Sequence, residues 1–330
     1  MLRDNLSLCL KTYYKLDVLE ISTSQLNHFR MKKPALSVIL IMLCIFASCQ
    51  SDYMLDESQI SVSETVSEDV SFESSMLINN LENFNDSLFQ SSNLIITRSL
   101  SGWKRRIAIA AADAMGAWQG IQIGMEVGSL LGPKGAAVGA AVGGIVCGAG
   151  ASFTAEAGTR SSNAVNIADV IAAAAKMKES TSIQTLQSMM PKIVILNIPN
   201  DKKPLQIMGP EHNVTLDNLR KKNLTYNEGN AFTKEELYVL KDTKFRSAFA
   251  VITSGKSYHS PNYKVSNRVM QLYVDALNNS SNSCTDVKVI SNRYINEVYT
   301  SGELTDSEVD GVISSICVLA SSVEYWNDIE

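Results

Sequence analysis

The sequence predicts an all-α protein: a glycine-zipper helical hairpin, a helical bundle domain after it and a disordered N-terminal tether before it. Three observations lead there. Gly116, Gly120, Gly124, Gly128 and Gly132 recur every fourth residue, and after Pro133 and Lys134 the spacing restarts with Gly135, Gly139 and Gly143. Beyond residue 160 apolar residues recur at helical rather than alternating spacing. Two Thr-x-x-Glu pairs, at Thr233 and Thr305, have the spacing of capping boxes that open helices. The glycine row is the most specific of the three. Spacing by four at 3.6 residues per turn stacks the glycines on one helix face. Each interior glycine costs roughly 0.5–1 kcal/mol against alanine, so the row requires a compensating contact. Close backbone packing of the small-xxx-small kind is that contact.

Taken in order, residues 1 to 30 precede a segment that reads as a signal sequence, 31 to 48. Met31, Lys32 and Lys33 give its basic start, and Ala35 to Phe46 its apolar stretch. That stretch is too short for a permanent span, which needs about 20 residues. A signal works at an amino terminus, so translation is expected to begin at Met31, with the first 30 residues upstream of the real start. Phe46-Ala47-Ser48-Cys49 resembles the lipobox of bacterial lipoproteins. The resemblance implies cleavage before Cys49 and diacylation of its thiol. Residues 49 to 75 carry acids and no Lys or Arg, the composition of a solvated, disordered tether. Ser51-Asp52 and the acids beyond resemble the export tag of Bacteroidota surface lipoproteins.

Within 76 to 100, Leu77, Leu81, Phe84 and Leu88 predict a short amphipathic helix. Residues 101 to 160 are the hairpin. Its first arm runs from Ile107 to Leu131, Gly132 suits the left-handed residue that ends a helix, and Pro133 suits the first turn of the next. The second arm, Gly135 to Ala155, is uncharged over a length that matches a bilayer core of roughly 30 Å. Trp103, Trp118 and the basic triplet 104 to 106 are placed to meet a headgroup interface. Asp113 and Glu126 oppose simple insertion, since a centred Asp costs about 2.5–3.5 kcal/mol. Both are expected to face a polar lumen or a partner.

From 161 to 330 the chain reads as a helical domain. Ala164 to Met177 and Met208 to Leu219 are helices, with the β-branched run Lys192 to Ile198 as an extended link between them. Thr233 opens a helix carrying Leu237, Leu240, Phe245 and Phe249. Tyr263 to Leu277, Asp286 to Tyr299 and a last helix from Thr305 close the chain. A short turn, Ser301 to Leu304, makes the last two neighbours.

Little overt chemistry is legible. The net charge of −5 and the lack of a basic patch exclude a nucleic-acid partner. His212 and His259 have no second ligand at i+3 or i+4, so no metal and no cofactor is expected. Glu211-His212-Asn213 is the most reactive-looking trio, and helix-start polarity accounts for it. No catalytic motif appears, so the chain is read as a non-enzyme. Cys284 and Cys317, counted outward from the turn at Gly302, are candidates for a disulfide in an exported protein.

Residues 31 to 158 resemble a Bacteroidota lipoprotein followed by a segment similar to the hydrophobic helices of bacteriocins. Gly209, His212, Asn213, Ser322, Tyr325 and Trp326 resemble positions in uncharacterised lipoproteins of those bacteria. The resemblance implies an outer-membrane location, held through diacylglyceryl Cys49 and displayed on the surface. The expected function is a lipid-anchored envelope protein whose hairpin inserts into a membrane, or self-associates there through the zipper, as an antagonistic toxin. The alternative is a structural or binding lipoprotein whose hairpin packs only within its own helical domain.

Overall fold

The computed structural model describes residues 75–92, 100–158, 165–190, 196–226, 231–279 and 284–329. Among these residues there are eleven α-helices and no strand. The lipobox, Cys49, the acidic tether up to residue 74 and the upstream segment lie outside the described residues.

The hairpin is the middle of the fold. Helix α1 spans Met76–Ser92, α2 Leu100–Gly128 and α3 Pro133–Gly158. A short 3-10 turn, Ser129–Leu131, and Gly132 join the two arms. Gly132 has φ 85°, a region that Cβ-bearing residues avoid, and Pro133 supplies the fixed φ of a first helical residue. Then follow α4 (Ile167–Ser180), α5 (Ile183–Ser188), α6 (Met208–Arg220), α7 (Lys234–Lys241) and α8 (Thr243–Thr253). Helices α9 (Lys264–Asn278), α10 (Cys284–Ser301) and α11 (Asp306–Ile329) close the chain.

Two apolar cores flank the hairpin. Helices α1, α9, α10 and α11 form one with the Trp118, Ile121 and Met125 face of α2. Helices α4, α6, α7 and α8 form the other with the Ala117, Ile123 and Val127 face of α2 and with Val142, Ile145 and Val146 of α3. The arms therefore act as a partition between the two cores, except near the turn, where Lys134, Ala137 and Ala141 of α3 are exposed. Fully burying a Leu, Ile or Val side chain stabilises by about 1.5–3 kcal/mol, so each core makes a large contribution.

Both capping boxes form. The Thr233 hydroxyl accepts from the Glu236 amide, while the Glu236 carboxylate accepts from the Thr233 amide. The same reciprocal pair joins Thr305 and Glu308 at the start of α11. The turn between α10 and α11 has a second use: Glu303 accepts from the Leu77 amide at 2.8 Å and from the Ser75 hydroxyl at 2.6 Å. It thereby caps α1 from more than two hundred residues away.

Two expectations need correction. The run after Thr233 is not one helix: Asp242 is extended, with φ −63° and ψ 137°, and accepts from the amides of Lys244 and Phe245. An aspartate competes for nearby backbone donors and starts a new helix there. The Cys284–Cys317 bridge is not formed, because Cys317 is a buried free thiol, and the Cys284 side chain lies outside the described ones. Cys284 begins a helix ending at Ser301, about 26 Å away along its axis, whereas Cys317 lies only about 17 Å into α11. The interhelix turn is not centred on Gly302, so equal counting misplaced the pair. Of the Lys192 to Ile198 link, the described part has no regular structure, and Leu196 and Ile198 are buried in the α1–α9–α10–α11 core.

Candidate functional site

The seam between the arms is built without side chains. A Cβ added to Gly120 would meet the Gly143 carbonyl, one on Gly124 the Gly139 carbonyl, and one on Gly128 the Gly135 carbonyl, each closer than 3.0 Å. Gly135, Gly139 and Gly143 return the same contacts, and Gly116 faces Cys147 and Ala151. Such an approach is open only to glycine, and it gives the two backbones dispersion contact from Gly116 to Gly128 of α2 and from Gly135 to Ala151 of α3. Seven of the eight predicted zipper residues lie in this seam. Gly132 does not: nothing lies within 4 Å of its Cβ position, and its role is the turn.

Away from the turn, the hairpin ends in a buried polar cluster. Asp113 of α2, Ser152 of α3, His212 of α6 and Ser322 of α11 are all 0% exposed, and Trp326 is 2% exposed. The Trp326 indole donates to Asp113 Oδ2 at 3.4 Å. Gly148 makes room for the His212 ring, and Gly209 lets α6 approach α11 at Ser321. His212 Nδ1 lies 3.1 Å from Asn213 Oδ1, and Asn213 donates to the Ser321 carbonyl at 3.0 Å. Asp113 Oδ1, His212 Nε2 and the hydroxyls of Ser152, Ser321 and Ser322 find no partner at hydrogen-bond geometry. Burial pushes the Asp113 carboxyl above the usual carboxylate range, and His212 with the neighbouring donors offsets this only in part. At the rim, Arg220 binds Glu156 through two hydrogen bonds of 3.0 Å, donates to the Tyr325 hydroxyl and lies 5.2 Å from the Trp326 ring centre.

Near the turn the surroundings reverse. Leu130 is 71% exposed and Leu131 43%. Beside them an open apolar groove of about 400 Å³ runs between α3 and the start of α11. Ile121, Met125 and Met208 lie at its floor, with Ala137 and Ala141 on one wall and Asp310 on the other. Lys202 pairs with Asp310 at 2.6 Å.

The acids expected to face a lumen or partner both lie inside the fold, Asp113 in the cluster above and Glu126 among donors of its own chain. Glu126 accepts from Lys244 at 2.7 Å and from the hydroxyls of Ser260 and Tyr258. Burial opposes its charge, but these donors outweigh burial and hold the carboxyl below its ordinary range. The same carboxylate and burial push the Tyr258 phenol up to about 12. Trp118 is not at an interface: it is fully buried, donates to Asn267 at 2.8 Å and meets Tyr263 edge-on. Cys147 fills a seam position as a buried thiol, its ionisation opposed by burial. His259 is exposed and far in character from buried His212. Among the described residues no group of three or more His, Cys, Asp or Glu is arranged to hold a metal ion.

The sequence singled out Gly209, His212, Asn213, Ser322, Tyr325 and Trp326 separately; the fold brings them together around Asp113. Ser152 and the groove residues carried no signal, since a serine in a small-residue helix and alanines on its outer face look like ordinary helix. No protein-family model, no curated protein and no solved structure matches the chain.

Proposed function

We propose that the protein is a lipid-anchored envelope protein whose hairpin is the internal scaffold of a helical binding domain. One observation carries this reading: the bare face of each arm is already covered by the other arm, glycine against glycine. A zipper spent within its own chain has no face left for self-association. Away from the turn the outer surfaces of the hairpin are likewise covered by the two flanking cores, and Asp113 and Glu126 find their surroundings inside the domain. The apolar α3 segment, long enough to cross a bilayer, has 67% of its most apolar window buried. A buried core helix of a folded domain passes the same length test, so the segment does not favour insertion.

The lipobox supports the anchor at Cys49, which fixes the domain at the envelope and leaves recognition to its surface. The experiment is dye release from sealed vesicles. The full chain, at concentrations that saturate the vesicle surface, is expected to release no trapped dye between pH 5 and pH 8. Release that grows with protein concentration would overturn the scaffold reading in favour of a membrane-inserting toxin. Mass spectrometry of the chain from its native envelope is expected to find diacylated Cys49 as the first residue.

A further inference from the structure

We infer that the pocket between α4, α5, α6 and the start of α7 binds a primary alkylammonium group, with Glu211 as the carboxylate that receives it. The inference rests on the reading of the helical domain as the binding part of the chain, and it uses no residue of the hairpin. The pocket has a volume of about 360 Å³, within the range of small-molecule sites. Met177, Leu186 and Phe232 give it buried apolar walls, and Ile183 stands exposed on its solvent side. Lys178, Glu211 and Glu236 supply its charge.

Those three charges do not cancel. Lys178 pairs with Glu236 at 2.5 Å, and its Nζ lies 5.9 Å from the centre of the Phe232 ring. The other oxygen of Glu236 accepts from the Thr233 amide and hydroxyl, so that carboxylate is fully engaged. Glu211 is not: among the described residues its carboxyl makes no hydrogen bond and no ion pair. The charged groups facing it are Lys178 of α4 and Glu236 of α7, and α5 brings none. Burial pushes the Glu211 carboxyl above its ordinary range, Lys178 offsets this in part and Glu236 adds to it. The chain itself shows which cation fits beside such a carboxylate. Lys178 is an ammonium on an alkyl stem, held by one carboxylate of the pocket against an aromatic wall. A second group of that kind supplies Glu211 with donors and lays its stem along Met177 and Leu186. An anionic ligand would meet like charge, and a neutral one would leave Glu211 without a counter-charge.

Nuclear magnetic resonance of the full chain with isotope-labelled methionine methyls tests the inference, with pentylammonium chloride as the probe. The Met177 methyl should shift and saturate with a Kd on the order of 1 mM, the strength open to a ligand of so few atoms. Pentanol, the neutral isostere, should bind at least tenfold more weakly. Glu211→Gln keeps the shape, removes the charge and should weaken the probe at least tenfold. Affinity in the native chain should rise with pH through the raised Glu211 value and level off above it. In Glu211→Gln it should not change with pH, a difference that altered packing alone does not produce. Ile183→Lys, at an exposed position, tethers a competing ammonium at the pocket and should weaken the probe at least threefold with the melting temperature unchanged. It decides the matter independently of how Glu211→Gln folds. No shift at Met177, equal binding of pentanol, or binding untouched by either variant overturns the inference. A blocked tripeptide with a central lysine distinguishes the source. Its binding at Met177 assigns the site to a lysine side chain of a partner, binding of pentylammonium alone assigns it to a free amine, and either upholds the inference. The scaffold reading stands apart from all of these outcomes, since it falls only with dye release.

Discussion

At the Asp113 end of the hairpin a carboxyl, an imidazole and three serine hydroxyls are closed off from water, whereas at the Gly132 end two leucines stand in it. The usual distribution places polar groups outside and large apolar groups inside. Here the two ends of one element invert it, and the seam between them does not change. The difference teaches that seam and ends do separate work. Backbone contact along the seam secures the hairpin, which leaves the ends free to carry groups that cost stability. Each unpaired buried polar group costs about 1–3 kcal/mol. The cluster therefore opposes part of the stability that the seam supplies, and the turn is the more exposed of the two ends.

The sharpest way to break the comparison is to change the seam. Gly124→Ala places a methyl against the Gly139 backbone, where no flexible side chain can move aside. Overpacking of this kind typically costs 1–3 kcal/mol, and with backbone on both sides about 3 kcal/mol or more is expected. Urea unfolding checks it; a loss under about 1 kcal/mol would mean the arms are not held in this contact.

Asp113→Asn compares the buried end with itself across pH. The folded-state value of Asp113 is raised, so native stability relative to the neutral variant is retained at low pH and lost as pH rises through that value. The variant should gain on the native chain by up to about 1.4 kcal/mol per pH unit between the ordinary aspartate value and that raised value, and level off above it, read from melting curves at successive pH values. Parallel curves would show that Asp113 is not held neutral by burial.

Gly132→Ala tests the turn. Space is open there, so only the backbone at φ 85° opposes the substitution, and a loss of roughly 1–2 kcal/mol is expected. It should be clearly milder than Gly124→Ala by the same urea assay. The smallest effect belongs to Lys244→Ala. Its partner Glu126 has a lowered value, so this stabilisation exists above the ordinary glutamate range and fades as pH falls through the folded value. Because Lys244 is 62% exposed, the loss at neutral pH should stay below about 1 kcal/mol and vanish in acid.

How much of this was legible follows the same division. The seam could be read directly, because a residue type without a side chain, repeated at helical spacing, encodes the contact itself. The two capping boxes were equally direct, each being complete within four residues. The polar cluster was not legible as a unit: Asp113 and Trp326 are brought together by four helices, and no spacing rule links them. Asp242 carried a usable signal, a capping residue inside an apolar run, but the helical period on both sides masked it. Cys317 was misread because helix ends, not loop midpoints, set which residues face each other. The groove left no trace in the sequence, since it is defined by how far α11 stands from α3.

Gly120 with Gly143, Gly124 with Gly139 and Gly128 with Gly135 are evenly spaced marks on two rulers. Sliding one ruler by about 6 Å, four residues of helix, would set glycine opposite glycine again. The marks alone therefore cannot fix their own alignment. That choice falls to the four-residue connection from Ser129 to Gly132, so its length, more than its composition, determines which of several equivalent alignments the chain adopts.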